Sequence, residues 1–230
     1  MPRTARIVVP GSPHHITQRG NNRQDVFFVD DDRRFYLRTL ARQADRFGLE
    51  VLGYCLMTNH VHLIAVPRES ESLARAVGST NLIHARYINR LHDRSGHLWQ
   101  NRFFSCPLDA GHLLAAMRYV ERNPVRAHLL RAPWRYRWSS AAAHCGDADD
   151  PFELLDLSAW RRRWSPEDWR AILRDRDDPD LIDTFRRSTL TGRPLGGDRF
   201  IAKLETKLNR RLRARPVGRP RGSKKKAVKK

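Results

Sequence analysis

Two histidines one residue apart, and a tyrosine on a separate segment, are the residues whose types suit phosphoester chemistry. His60-Val61-His62 lies in an apolar run. Side chains alternate faces along a strand, so both imidazoles point one way, about 6–7 Å apart, and can converge on one cation. The tyrosine is Tyr119, in Met117-Arg118-Tyr119-Val120-Glu121-Arg122-Asn123-Pro124. On a helical wheel Leu113, Met117 and Val120 form the apolar stripe. Tyr119 lies about 100° from it, with Asn123 one turn on along the same flank. That separates Tyr119 from Tyr36, Tyr54 and Tyr87, which sit in apolar helix faces or strands. His112 falls on the Tyr119 flank two turns earlier, a candidate for touching phosphate.

These types suit each other chemically. A phenol titrates near pH ~10 and is a weak nucleophile at neutral pH. A divalent cation beside a phosphodiester polarises the phosphoryl oxygen and offsets charge in the transition state. Two imidazoles and the amide oxygen of Asn123 would leave positions open for phosphate oxygens and water. Attack by the phenol would store the broken bond as a phosphotyrosine, so rejoining needs no nucleotide cofactor. No glycine-rich phosphate loop of the Walker kind is present.

Composition says what such a centre would act on. The 230-residue chain carries a formal net charge of +19. A charge of that size points to a polyanion, because each phosphate neutralised by Arg or Lys releases condensed counterions. Nucleic acid is favoured over an acidic membrane surface, since no lipidation motif or basic amphipathic anchor is evident. No apolar run approaches the ~18–20 residues of a membrane span, and the N-terminus lacks the apolar core of a secretory signal. Cys55, Cys106 and Cys145 are too widely spaced for a disulfide framework or a cysteine zinc site. The expected setting is therefore a reducing cytoplasm, in association with the nucleoid.

The elements that must position these residues follow from periodicity. The pattern predicts strands over 14–19, 49–57, 60–66 and 98–106, and helices over 30–47, 72–94 and from Asp109 to about Asn123. Thr58-Asn59 is the hairpin turn between the middle strands. The order β-α-β-β-α-β is that of an α+β, ferredoxin-like split βαβ antiparallel sheet, with helices on one face and the other face left free to work. Residues 125–145 read as a closing segment with Trp134, Tyr136 and Trp138 as packing. The domain reading is a nuclease unit over 1–146, a helical C-terminal region over 147–212, and a basic tail over 213–230 expected to be disordered when free. Every lysine follows Phe200, whereas arginine is spread throughout.

At the histidine pair and the tyrosine, the sequence resembles a known family. Met57-Thr58-Asn59-His60-Val61-His62 resembles the histidine–hydrophobe–histidine motif of HUH endonucleases. Tyr119-Val120-Glu121-Arg122-Asn123-Pro124-Val125-Arg126-Ala127 resembles the tyrosine helix of REP-associated tyrosine transposases, relatives of single-strand insertion-sequence transposases. His15-Ile16-Thr17-Gln18-Arg19-Gly20-Asn21-Asn22-Arg23, Leu98-Trp99-Gln100-Asn101-Arg102-Phe103 and Trp138-Ser139-Ser140 are similar to further stretches of that group, and Thr191-Gly192-Arg193-Pro194-Leu195-Gly196 extends the likeness. The resemblance implies cleavage and rejoining of single-stranded DNA at palindromic REP-like hairpins, through a 5′-phosphotyrosine on Tyr119 and with a free 3′-OH. It implies Mg²⁺ or Mn²⁺ on His60 and His62, with Asn123 where a relative has Gln, and a monomer acting in cis, a dimer being the alternative.

Candidate DNA contacts are Arg19, Asn21, Asn22 and Arg23 after the first strand, with Arg102. Arg219 and Arg221 stand in Gly218-Arg219-Pro220-Arg221, which resembles half of an AT-hook. Trp99 and Phe103 read as core in preference to stacking platforms. The competing function is a domesticated DNA-binding or regulatory protein of the same fold that does not cut. A two-histidine zinc hydrolase is disfavoured, because neither HExxH nor a carboxylate ligand accompanies the pair.

Overall fold

A computed structural model describes residues 6–213. Its sheet comprises β1 (His14–Arg19), β2 (Leu49–Met57), β3 (His60–Pro67) and β4 (Phe104–Pro107), in the order β2-β3-β1-β4 with every neighbour antiparallel. Helix α1 (Asp30–Arg46) links β1 to β2, and α2 (Ser72–Leu91) links β3 to β4. This is the α+β split βαβ that the element order implied. Three aspartates open α1, where negative charge meets the helix dipole. The Asp32 carboxylate accepts from the Phe28 and Val29 amides at 2.7 and 3.0 Å. Gly48, at φ +61, makes the left-handed exit into β2.

The amphipathic faces of α1 and α2 meet one side of the sheet. Leu37, Leu40, Leu73, Val77 and Ile88 bury against Ile16, Leu56, Val61 and Leu63. The other side is not left bare. Helix α3 (Ala110–Glu121) lies across it, followed by α4 (Asn123–Arg126), α5 (Ala141–His144), α6 (Leu157–Arg163), α7 (Pro166–Arg174), α8 (Pro179–Thr191) and α9 (Asp198–Leu208). Trp169, Leu173 and Phe185 join Ile64, Cys106, Met117 and Val120 in a second core. The working surface is thereby reduced from an open face to a cleft. Gly53 permits this packing, because a Cβ there would stand 2.5 Å from Cε of Met117 on α3.

Besides shifts of one residue at other ends, three boundaries differ from the periodicity reading. β4 starts at Phe104 rather than residue 98. The preceding residues form a loop in which Trp99 is buried and donates its indole N–H to the Asn81 carbonyl at 3.0 Å, while Asn101 is left-handed at φ 52. Trp99 and Phe103 both lie in the first core. α2 ends at Leu91 rather than Arg94, with Asp93 left-handed just beyond it. α3 ends at Glu121, and Pro124 sits in the first turn of α4, where its missing N–H is not needed. The segment after α4 closes the β2 edge. The Leu56 amide donates to Trp138 O, the Ser140 amide to Tyr54 O, and the Tyr136 hydroxyl to Leu56 O. None of the described helices is long and apolar enough to cross a membrane. Arg219 and Arg221 lie outside the described residues.

His84 on α2 gives the first prediction. It is fully buried among Phe27, Tyr36 and Trp99, and neither ring nitrogen has a hydrogen-bond partner. Burial lowers its pKa to about 3. The unfolded chain binds this proton below pH ~6.5 and the folded chain does not, so stability is lost as pH falls from there towards 3. His84→Leu removes the effect. Between pH 7 and 5 the variant should lose less unfolding free energy than the parent, by up to roughly 2 kcal/mol. Parallel urea-unfolding profiles at the two pH values would contradict this.

Candidate active site

The register of β1 on β3 builds the site. Thr17 pairs with His62 and Arg19 with His60, so His15, Thr17 and Arg19 share the face of both motif histidines. This is the face that α3 and α8 cover, and between them a cleft of about 530 Å³ stays open. His60, His62, Tyr119 and Asn123 all line it. The four residues that spacing singled out therefore share one cleft.

The imidazoles of His60 and His62 stand 5.0 Å apart between centroids, nearly perpendicular. Each is held through Nδ1. His60 Nδ1 meets Asn59 Oδ1 at 2.7 Å, and His62 Nδ1 meets Nε2 of His15 at 3.0 Å. His15 Nδ1 in turn meets Thr189 Oγ1 of α8 at 2.7 Å, and that oxygen lies 3.6 Å from Cys106 Sγ. The chain can be protonated in either direction, and one of the two directions suits a cation at the pair. In that direction His62 Nδ1–H donates to His15, His15 Nδ1–H donates to Thr189, and the threonine hydroxyl donates to the thiol. It leaves Nε2 of both motif histidines with a lone pair. Burial, with Arg19 next in weight, lowers the pKa of His60 to about 4. Burial first, then the other histidines and Arg126, drives His62 well below its usual value. Burial, then Arg126, lowers His15 to about 3. All three are neutral near pH 7, as metal-ligating and second-row imidazoles must be.

Tyr119 approaches from α3. Its ring lies edge-on to His62 at 5.7 Å and to His15 at 5.5 Å, and stacks on Phe185 of α8 at 5.4 Å. It is only 8% exposed. The wheel put Tyr119 off the core stripe, but the ring belongs to the second core together with Met117, Val120 and Phe185. The flank is covered because α8 supplies a second wall. The Arg126 guanidinium sits 4.3 Å over the phenol ring, donates to the Tyr119 carbonyl, and pairs with Asp177 at 3.4 Å. The guanidinium thus covers the face of the ring as a cation–π contact.

Asn123 opens α4 and its amide has no hydrogen-bond partner among the described residues. Among those residues no group of three or more His, Cys, Asp or Glu side chains surrounds a metal position. His60, His62 and Asn123 line the same cleft and offer a neutral set of nitrogen and oxygen donors. Among the described residues, the charged ones lining the cleft are Arg19, Arg126 and Arg186, and no carboxylate lines it.

The other candidates sort by position. Arg19 is in the cleft. Asn21, Asn22 and Arg23 form a short 3₁₀ turn just beyond β1, outside the cleft lining. Arg102 lines a neighbouring hollow. His112 does not reach the cleft. It pairs with Asp109 at 2.6 Å, held at the far end of α3 by the capping carboxylate. His15, Arg126, Arg186 and Thr189 were not singled out from sequence. His15 and Arg126 were visible within the resembling motifs, but their role depends on strand register and helix packing. Thr189, 174 residues from His15, left no local signal.

Comparison with known proteins bears on the family and the fold. The family model described as "Transposase IS200 like" matches residues 9–123, half of the chain, from just before β1 to Asn123. No curated protein matches the chain. Among solved structures, one described as a REP-associated tyrosine transposase bound to a REP hairpin is similar at a TM-score of 0.52 and 14% identity, covering 66% of this chain and 90% of that one. A candidate transposase from Deinococcus radiodurans R1 has a TM-score of 0.38 and 19% identity, over 52% of this chain and 96% of that one. The first of these shares the fold of the α+β sheet and its helices. With the family match spanning both motif histidines, Tyr119 and Asn123, the chain belongs to the IS200-like transposase family.

Proposed function

We propose that this protein is a metal-dependent single-strand DNA endonuclease and strand transferase that cuts and rejoins DNA at REP-like palindromic hairpins. The observation that carries this reading is the placement of Tyr119 beside His62 in an arginine-lined cleft. The phenol oxygen of Tyr119 attacks phosphorus, the bond from phosphorus to the 3′ oxygen breaks, and the leaving oxygen takes up a proton to become a 3′-OH. The phenolic proton passes to solvent, and the 5′ end is held as a phosphotyrosine. Arg126 steadies the developing negative charge on the phenol, and Arg19 and Arg186 hold the incoming strand. His60 and His62, with Asn123, would hold Mg²⁺ or Mn²⁺, which when bound polarises the scissile phosphate. The hairpin as substrate rests on the similar transposase solved with one, and action as a monomer in cis belongs to the same reading. Residues 1–146 carry the chemistry, and the helical region over 147–212 walls the cleft.

His15 should act on the metal through His62. His15→Phe keeps the stacked ring but removes the acceptor for His62 Nδ1. Mn²⁺ affinity by calorimetry should then fall about 10- to 100-fold. An unchanged affinity would show that His62 is oriented without it.

The function is tested by incubating the full chain with an end-labelled single-strand hairpin and Mn²⁺, then denaturing. A labelled, slower-migrating protein band is expected. The near-complete burial of Tyr119 beneath Phe185 favours one second reading, a domesticated protein that binds hairpins without cutting. It predicts binding and no such band.

A further inference from the structure

The segment that carries Tyr119 also carries three arginines one turn apart, Arg118, Arg122 and Arg126, along a flank of α3 and α4. Their side chains are 16%, 11% and 14% exposed, so each charge needs a fixed partner. Among the described residues one carboxylate faces all three, that of Asp177 in the loop between α7 and α8. Asp177 divides its oxygens between them. Oδ1 accepts from Arg122 at 2.9 Å and lies 3.8 Å from Arg118, whereas Oδ2 accepts from Arg126 at 3.4 Å.

The three arginines are not held alike. Arg118 donates to the carbonyls of Ile172 at 3.0 Å and Asp175 at 2.6 Å, and Arg122 donates to that of Leu173. These carbonyls belong to the end of α7, where a helix leaves its last oxygens unpaired and its dipole attracts cations. Arg126 has no such partner. Among the described residues its guanidinium donates to the Tyr119 carbonyl and to Asp177. It is also the one of the three that lines the cleft, where it lies over the Tyr119 ring. A guanidinium has five N–H donors, so the rest of the fork is left for a ligand in the cleft. Asp177 does not line the cleft. Arg118 and Arg122 are anchored without it, and Arg126 hangs from it.

We propose that Asp177 is a positioning residue, which sets the Arg126 fork against the scissile phosphate while Tyr119 attacks. This rests on the function proposed above. Through Oδ1 the carboxylate is tied to arginines fixed on α7, and through Oδ2 it holds the third beside the phenol. A held fork accepts a phosphate in one place, within reach of the tyrosine oxygen, which is an orientation effect. Released from Asp177, Arg126 follows any phosphate in the cleft. DNA is then bound more tightly and cut more slowly.

The test uses the full chain as parent, Asp177→Asn, Arg126→Gln and the double variant, with an end-labelled REP-like hairpin and Mn²⁺. Affinity is read by fluorescence anisotropy against salt, and cleavage by the rate at which the covalent band forms. Asp177→Asn should bind a few-fold tighter, with a salt slope steeper by about 0.7, the increment for one more phosphate contact on a single strand. Its band should form about tenfold or more slowly. In the Arg126→Gln background the same change should move neither quantity by more than about twofold, because the two residues act as one unit. Equal effects in both backgrounds overturn the proposal. So does an Asp177→Asn protein with the parent's affinity and rate, or one that loses both together, as a merely structural contact would. Should Asp177→Asn fail to fold by circular dichroism, Asp177→Glu keeps the charge and displaces the fork by one methylene. A slower band at unchanged affinity is then expected, and an unchanged rate overturns the proposal. A parent that forms no band contradicts the proposed function, while the affinity comparison in the two Arg126 backgrounds still decides the role of Asp177.

Discussion

Tyr119→Phe should abolish the covalent protein–DNA band while leaving hairpin affinity within about twofold of the parent. Deleting one hydroxyl removes the nucleophile and little else. The ring keeps its stack on Phe185 and its edge contacts with His15 and His62, and the Arg126 guanidinium still has an aromatic face beneath it. Loss of a nucleophile with no substitute costs several orders of magnitude, on the order of 10³ or more, because general electrostatic stabilisation alone remains. The comparison is quantitative cross-linking at saturating Mn²⁺. Persistence of the band in Tyr119→Phe would move the chemistry to another residue.

Glu121→Ala should be the most destabilising single change outside the cleft, by about 3–5 kcal/mol. The Glu121 carboxylate is fully buried at the end of α3, two residues from the tyrosine. It accepts from the Ser140 hydroxyl, from His144 Nδ1 at 2.6 Å and from the Trp169 indole at 2.8 Å. These three donors come from the segment on the β2 edge, from α5 and from α7, so one carboxylate ties the C-terminal helices to the tyrosine helix. Truncation would orphan the imidazole and indole donors in a dry site and leave a cavity, while the Ser140 hydroxyl keeps the Tyr54 carbonyl at 3.3 Å. Against a typical stability of ~5–15 kcal/mol, the loss is a large fraction. Denaturant unfolding of the variant within ~1 kcal/mol of the parent would show that the network is replaceable by water.

The grouping of the candidate residues in one cleft was legible in sequence wherever the signal was local. Strand alternation put His60 and His62 on one face without any knowledge of the sheet. The helical wheel separated Tyr119 from the apolar stripe and linked it to Asn123. The split βαβ order followed from the sequence of periods. What stayed hidden needed tertiary information. His15 is in plain view, but its role requires the β1–β3 register and the arrival of Thr189 from α8. Residues 152–209 offered buried-type residues such as Trp169 and Phe185, yet nothing in their spacing says that they pack on the sheet face opposite α1 and α2. The strand start at residue 98 failed for a similar reason. Leu98, Trp99 and Phe103 are apolar enough for a strand, but Trp99 is claimed by Asn81 of α2 and the backbone turns at Asn101.

The central claim is that Tyr119 becomes the covalent link to DNA beside the histidine pair. It is tested most directly by digesting the protein–DNA band with nuclease and protease and sequencing the modified peptide by mass spectrometry. The account predicts a nucleotide 5′-phosphate on Tyr119, with the released fragment ending in a 3′-OH. Cleaved DNA with no modified peptide, or a modification on any other residue, would contradict it.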